Sequence, residues 1–238
     1  MVNQEKTVKN SNSFSFGKLL KKLLLFLFIG QFVYLIWCKW IDPPITITQA
    51  VNALEGNGLR RDYINYDEMG SNIKLAVMAS EDQLFPDHDG FDIKAIKKAM
   101  KYNKKHPNKT RGASTISQQT AKNIFLWQHG GFFRKGLEVY FTFMIELLWS
   151  KERILENYLN IAEMGKGIFG VQAAARAYFN KDAKNLTRKE AAMIAACLPN
   201  PKKFTVKPAC RYVTVRAGRI MVQMNNLEGD PDIDALLK

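Results

Sequence analysis

The sequence predicts a mainly α-helical domain preceded by one N-terminal transmembrane helix. Three observations support this class. The chain has 238 residues, of which 47% are hydrophobic, and this is enough apolar mass for one sizeable core plus an appendage. One long apolar segment lies near the N-terminus. Beyond it, apolar residues recur at helical spacing, while the alternation typical of strands is scarce.

The apolar segment covers residues 19–41 and carries no charge between Lys22 and Lys39. The sixteen uncharged residues between these lysines are slightly fewer than the roughly 20 of a spanning helix, but flanking lysines can snorkel and tryptophans suit an interface. A cleaved signal peptide is the competing interpretation, yet the segment ends Leu-Ile-Trp-Cys-Lys-Trp without a small-residue cleavage site. We therefore expect an uncleaved anchor at 19–41.

The lysines that precede the anchor predict a cytoplasmic tail at 1–18 and an exported remainder. Pro43 and Pro44 should end the anchor helix. A linker over 42–50 then leads into an exported domain at 51–238.

The net charge of +13 favours a polyanionic partner, which could be a nucleic acid, an anionic membrane surface or a phosphate-bearing substrate. Basic residues cluster beside the anchor and over 94–111. Neither cluster accompanies a nucleic-acid-binding motif, so no nucleic-acid partner is expected. Cys197 and Cys210 are the one conceivable soluble cysteine pair, and three cysteines do not fix the redox compartment.

Several helices are predicted in the exported domain. Ile93, Ile96 and Met100 form an apolar stripe, with lysines on the opposite face. Residues 114–126 predict a second helix, in which Ser114, Gln118 and Lys122 repeat at i, i+4 and i+8.

The segment 134–162 is the most hydrophobic helical stretch outside the anchor. A second membrane span is the competing interpretation, but Glu138 and Glu146 interrupt a segment too short to cross. We expect the buried central helix of the domain there. Thr187 and Glu190 form a capping box that opens a helix ending before Pro199.

The first of four polar stretches begins at Glu81 and reads E-D-x-x-F-x-x-H-x-G. A glutamate at the mouth of an apolar segment is a candidate general base, because partial burial makes a carboxylate a better proton acceptor. Taken alone, an E-D pair is more often a helix end in water.

The second stretch reads G-x-S-T-I-x-Q-Q-x-x-K-N and ends at Asn123. Its hydroxyls, glutamines and lysine could bind sugar hydroxyls and a phosphate. The third, R-K-x-x-E, contains Arg134, Lys135 and Glu138. Two cations suit a diphosphate or a carboxylate-bearing sugar, although such a run is usually an exposed helical turn with an ion pair. The fourth, K-x-x-I-L-x-x-Y-L-N, spans 151–160 and is mostly a packing pattern.

Together and in this order, the four stretches resemble the motifs of peptidoglycan glycosyltransferases, the enzymes that polymerise lipid II into glycan strands. The resemblance continues through GVQAAARAYF and LTRKEAAMIAACLPNP. It implies a lysozyme-like, α-helical fold with a large lobe, a smaller membrane-facing lobe and a groove between them. With no transpeptidase domain expected, the chain is similar to the monofunctional, membrane-anchored form of Gram-negative bacteria.

The resemblance also implies residue roles. Glu81 is expected to be the general base, and Glu138, the second essential carboxylate, is expected to orient cations or to bind a divalent ion (Mg or Mn) near the diphosphate. The expected diphosphate and donor ligands are Lys122, Arg134, Lys135, Ser114, Gln118 and Gln119. Supporting roles fall to Asp82, His88 and Asn123, and a packing role to Phe85. No organic cofactor is expected.

The implied partners are lipid II, the growing glycan chain and the bacterial inner membrane, with the catalytic domain in the periplasm. Cell-division proteins and penicillin-binding proteins are further candidate partners. A lysozyme-type hydrolase or lytic transglycosylase is the nearest competing function, because both act on the same polymer through carboxylates. Two more distant hypotheses are a nucleotide-sugar transferase with a D-x-D metal site at 230–234 and a non-enzymatic membrane tether.

Overall fold

The computed structural model describes residues 16–107, 109, 111–128 and 130–238. These residues are mainly helical, as predicted. The helices are α1 (Phe16–Trp37), α2 (Ile47–Leu54), α3 (Ser71–Glu81), α4 (Ile93–Lys105), α5 (Ile116–Phe125), α6 (Phe132–Leu148), α7 (Lys151–Ile161), α8 (Val171–Phe179), α9 (Arg188–Cys197), α10 (Arg211–Leu227) and α11 (Pro231–Leu237). Short 3-10 turns cover Tyr66–Glu68, Phe85–Asp87 and Ala183–Asn185.

The chain divides into two compact units between Trp40 and Ile41. In the first unit, α1 is 22 residues long, with a mean hydropathy of 2.0 in its most apolar window, so it is long and apolar enough to cross a membrane. It begins three residues before the predicted anchor and ends four residues before its predicted end. The predicted tail at 1–18 lies mostly outside the described residues.

The second unit starts at Ile41, and its first helix, α2, falls across the predicted boundary between linker and domain at residue 50. Thr46 caps α2, because its hydroxyl accepts a hydrogen bond from the backbone N–H of Gln49 at 3.2 Å.

The core of this unit is built around α3. Every residue from Ile73 to Ala79 is buried, which is the pattern of a helix surrounded by other elements. α3 packs against α9, α10 and α11, while α5, α6 and α7 pack together as a second group and α8 contacts both α7 and α9. Glu81 therefore stands at the end of a buried helix.

The sheet is small. β1 (Arg60–Arg61) pairs in parallel with β3 (Ile168–Phe169), and β2 (Glu163–Gly165) pairs antiparallel with β3. Strands of two or three residues leave almost no alternating pattern, which explains why the sequence did not indicate them.

The predicted central helix at 134–162 is wrong in two respects. The segment forms two helices, because Ser150 caps α7 by accepting a hydrogen bond from the N–H of Arg153 at 3.2 Å. α6 is also not buried all round: Phe132 is 98% exposed and Leu147 is 65% exposed. Most residues of α3 and α7 are buried, whereas only Glu138, Thr142 and Ile145 are buried in α6.

The helix at α9 is confirmed, with the capping box of Thr187 and Glu190 at its start. Cys197 lies at the end of α9 and is a free, buried thiol, and Cys210 is also free. Burial, together with the charge of Glu81, raises the pKa of the Cys197 thiol to about 12.

Candidate active site

Three groups hold the carboxylate of Glu81, whose side chain is 13% exposed. The Ser80 hydroxyl donates a hydrogen bond to Oε1 at 3.0 Å, and Nε2 of Gln119 donates to Oε2 at 3.1 Å. Nη2 of Arg216 lies 3.5 Å from Oε1 and donates to the Ser80 hydroxyl at 3.1 Å. Each carboxylate oxygen thus has at least one donor, so the plane of the carboxylate is fixed.

Asp82, the next residue, ties the first motif to the second. Its Oδ2 accepts a hydrogen bond from the backbone N–H of Ile116 at 2.9 Å, and its Oδ1 lies 3.0 Å from Nε2 of His88. Nδ1 of His88 in turn accepts from the N–H of Gly90 at 3.1 Å. Burial opposes the charged form of His88, but the hydrogen bond and charge of Asp82 outweigh burial and raise its pKa.

The loop after Asp82 is fixed by two further residues. Lys151, from the fourth motif, donates to the backbone oxygen of His88 and to Oε1 of Glu146, and its ammonium lies 4.7 Å from the centroid of the buried Phe85 ring. Gly90 has a φ of +84°, and an added Cβ would lie 2.8 Å from Cγ2 of Thr142. Glycine is therefore required at this close contact.

The start of α5 differs from the prediction and reassigns the second motif. Thr115 is the N-cap and Gln118 completes a capping box, because Oε1 of Gln118 accepts from the N–H of Thr115 at 3.1 Å. Ser114 lies before the helix, so the predicted i, i+4, i+8 stripe does not form. The buried Gln118 side chain closes the helix end.

Two cavities adjoin on either side of Gln119, which lines both of them together with Pro199. The cavity beside Glu81 has a volume of about 670 Å³ and is also lined by Ser114 and Arg216. The other, of about 600 Å³, is lined by Lys122 and Asn123. Glu81 and Lys122 therefore face neighbouring spaces.

The third motif is a compact charge cluster. Glu138 is almost completely buried, with Nη1 of Arg134 at 2.9 Å from Oε2 and the Lys135 ammonium on Oε1. Burial lowers the pKa of Lys122, and the charges of Arg134 and Lys135 lower it further against the opposing charge of Glu138. Arg134 and Lys135 pair with one carboxylate, and Lys122 lies within electrostatic range of it. These three cations and one anion leave a net charge of about +2 for an anionic ligand.

One donor in this cluster has no partner. Nε of Arg134 is buried and has no acceptor among the described residues. A buried unpaired donor is costly, so a ligand with acceptor oxygens would stabilise it.

The residues present do not fit a divalent ion held by the protein. Both oxygens of Glu138 already contact cations. In the part of the chain that the structure describes, no three His, Cys, Asp or Glu side chains are grouped as metal ligands.

Sequence reasoning missed Arg216, Ser80 and Lys151 as parts of the site. Arg216 comes from α10, far along the chain from Glu81, and no local pattern marks it. Lys151 belongs to a motif that predicts mainly packing. Its charge at the first position of that motif, before the apolar residues, could have indicated a role in the site.

Residues 48–225, which contain all of these side chains, match the family model described as Transglycosylase. The chain belongs to this transglycosylase family. It is 47% identical over 216 residues to the biosynthetic peptidoglycan transglycosylase of Pseudomonas entomophila, which covers 88% of this chain and 91% of that protein. The protein of the same description from Aeromonas hydrophila is 46% identical over 87% of this chain and 90% of its own length. The biosynthetic peptidoglycan transglycosylase of Escherichia coli is 54% identical over 170 residues, which cover 71% of this chain and 70% of that protein.

Proposed function

We propose that this transglycosylase is a peptidoglycan glycosyltransferase that polymerises lipid II into β-1,4-linked glycan strands. The observation that carries the proposal is the clamped carboxylate of Glu81 beside a cavity that adjoins the one lined by Lys122. The charge of Lys122 interacts in turn with Arg134 and Lys135. The relatives described as biosynthetic peptidoglycan transglycosylases support the same reaction.

In this reaction Glu81 takes the proton from the 4-hydroxyl of the acceptor lipid II. The acceptor oxygen attacks C1 of the terminal muramyl sugar of the donor, and a β-1,4 bond forms with inversion. The bond between C1 and the diphosphate oxygen breaks, and undecaprenyl diphosphate leaves with the electron pair. A fixed carboxylate suits the base, because proton transfer requires it within hydrogen-bonding distance of the hydroxyl.

The cationic cluster serves the leaving group. The diphosphate gains negative charge as the C1–O bond breaks, so preorganised cations stabilise the transition state more than the ground state. Arg134 can make two parallel hydrogen bonds to phosphate, while Lys122 and Lys135 act as point charges. Glu138 orients Arg134 and Lys135, and no step requires a metal.

The roles of the second-motif residues follow from their positions. Gln119 holds Glu81, whereas Ser114 and Asn123 line the cavities and are proposed to contact substrate. Asp82 and His88 support the loop. A direct contact between Gln118 and substrate stays a prediction, since its side chain is buried in the capping box.

We propose that α1 is a single-pass inner-membrane anchor with the N-terminus in the cytoplasm and the second unit in the periplasm. Exposed apolar residues on α6, including Phe132 and Leu147, support contact of this helix with the bilayer, where the lipid-linked substrate resides. Tethering raises the effective concentration of enzyme at that surface. Division and penicillin-binding partners stay predictions.

The test is incubation of the purified full-length protein with lipid II in detergent or liposomes. The expected products are glycan polymer and released undecaprenyl diphosphate. Shortening of preformed glycan without polymerisation would instead assign the protein to the hydrolases.

A further inference from the structure

Tyr158 of α7 is 1% exposed, yet its hydroxyl has a polar partner in the site. The hydroxyl lies 3.3 Å from Oε1 of Gln119, and no other acceptor lies within hydrogen-bonding distance of it among the described residues. Complete burial and the nearby charge of Glu81 raise the pKa of Tyr158 well above its ordinary value. The hydroxyl therefore stays protonated and donates a hydrogen bond to the amide oxygen of Gln119.

The opposite end of the same amide contacts Glu81. Nε2 of Gln119 donates to Oε2 of Glu81 at 3.1 Å, so one side chain links Tyr158 to the base. A flipped amide would place its oxygen against the carboxylate oxygen. It would also leave the buried proton of Tyr158 without an acceptor, and both effects are costly.

We propose that Tyr158 is a positioning residue that acts through Gln119 to fix the carboxylate of Glu81. The inference rests on the proposed function, in which Glu81 is the general base. Tyr158 borders the cavity lined by Lys122 but is 1% exposed, so the proposed role is positioning and not contact with substrate. A purely structural Tyr158 would need only its ring, because the ring fills the core and the hydroxyl would be dispensable.

The first experiment compares Tyr158→Phe with Tyr178→Phe in the full-length enzyme, using lipid II polymerisation. Tyr178 is the matched control, because its hydroxyl also donates one hydrogen bond, to the backbone oxygen of Met164 at 2.9 Å, and it is not among the described residues that line the two cavities. Tyr158→Phe should lower kcat on the order of tenfold with KM for lipid II unchanged. Tyr178→Phe should keep the wild-type kcat.

A double-mutant cycle separates positioning from general loss of stability. Gln119→Met should lower kcat at unchanged KM, and adding Tyr158→Phe to it should cause no further loss, because the hydroxyl then has nothing to orient. Independent, multiplying losses in the double variant would overturn the inference.

Two other outcomes also decide the matter. Wild-type kcat in a folded Tyr158→Phe enzyme would overturn the inference while leaving the proposed function intact, whereas a wild-type protein that forms no polymer would overturn both. If thermal unfolding shows that Tyr158→Phe does not fold, Gln119→Met decides alone, since full activity in that variant would remove the route by which Tyr158 acts.

Discussion

Gln119 donates a hydrogen bond from Nε2 to Oε2 of Glu81, 38 residues earlier in the chain, at 3.1 Å and thereby joins the first and second motifs. Three residues further along α5, Lys122 lines the neighbouring cavity. One short helix therefore positions both the proposed base and a proposed diphosphate ligand. Its own start is fixed by Asp82, through the N–H of Ile116.

The lowered pKa of Lys122 predicts a pH effect. The lysine loses its charge at a lower pH than an ordinary lysine does, so polymerisation should fall as pH rises into that range. Lys122→Arg keeps the charge, because guanidinium stays protonated, and should move the alkaline decline to higher pH. Initial rates across pH test this, with the exposed Lys97→Arg as control. Identical alkaline limbs in wild type and Lys122→Arg would count against the role.

Removing the charge of Glu138 should disrupt the cationic cluster. In Glu138→Gln, Arg134 and Lys135 would lose the ion pairs that orient them. The negative charge that offsets the repulsion among Lys122, Arg134 and Lys135 would also be lost. We expect kcat for lipid II to fall roughly 100-fold, by analogy with the loss of one electrostatic donor. A variant with wild-type kcat would show that Glu138 does not organise the cluster.

Asp82→Asn should destabilise the loop and the start of α5. The aspartate accepts from both Ile116 and His88, whereas an asparagine has one acceptor oxygen and would turn its NH₂ group toward a donor. If His88 changed tautomer to accept from it, Nδ1–H would face the N–H of Gly90. Unfolding measurements should show a loss of about 1–3 kcal/mol. An unchanged unfolding free energy would contradict this network.

Arg216→Ala should lower activity, because Arg216 contacts both Ser80 and Glu81. Loss of one of the three groups that hold the carboxylate should reduce kcat about tenfold. The control is Arg219→Ala, because Arg219 is exposed on the same helix and has no ion pair among the described residues. Equal losses in the two variants would indicate a general charge effect on substrate binding.

Much of the fold was predictable from the sequence. The N-terminal apolar helix, the helical class and the cap of α9 each depend on local patterns, namely an uncharged apolar run, helical spacing and a T-x-x-E box. The exposure of α6 was not predictable from the sequence. This helix is as apolar as a core helix, yet Phe132 and Leu147 are exposed. Composition alone does not separate an apolar surface that faces the core from one that is exposed.

The site was predictable only in part, because some of its residues come together only through tertiary packing. The first and third motifs place their chemical groups within a few residues of each other, as with Arg134, Lys135 and Glu138. Arg216 and Tyr158 reach Glu81 and Gln119 only through tertiary packing of α10 and α7. The adjacent Gln118 and Gln119 cannot be distinguished by chemical type in the sequence. On the helix they point in different directions, so Gln118 completes the N-terminal capping box and Gln119 donates a hydrogen bond to Glu81.

The most direct test of the general-base role compares lipid II polymerisation by wild type, Glu81→Gln and Glu152→Gln in the full-length protein. Glu152 is an exposed glutamate on α7 that lines neither cavity, so its variant controls for the loss of one carboxylate. Glu152→Gln should polymerise lipid II at the wild-type rate, and Glu81→Gln should lose at least about 100-fold in rate with an unchanged unfolding midpoint. Normal polymer formation by a folded Glu81→Gln enzyme would show that Glu81 is not the general base.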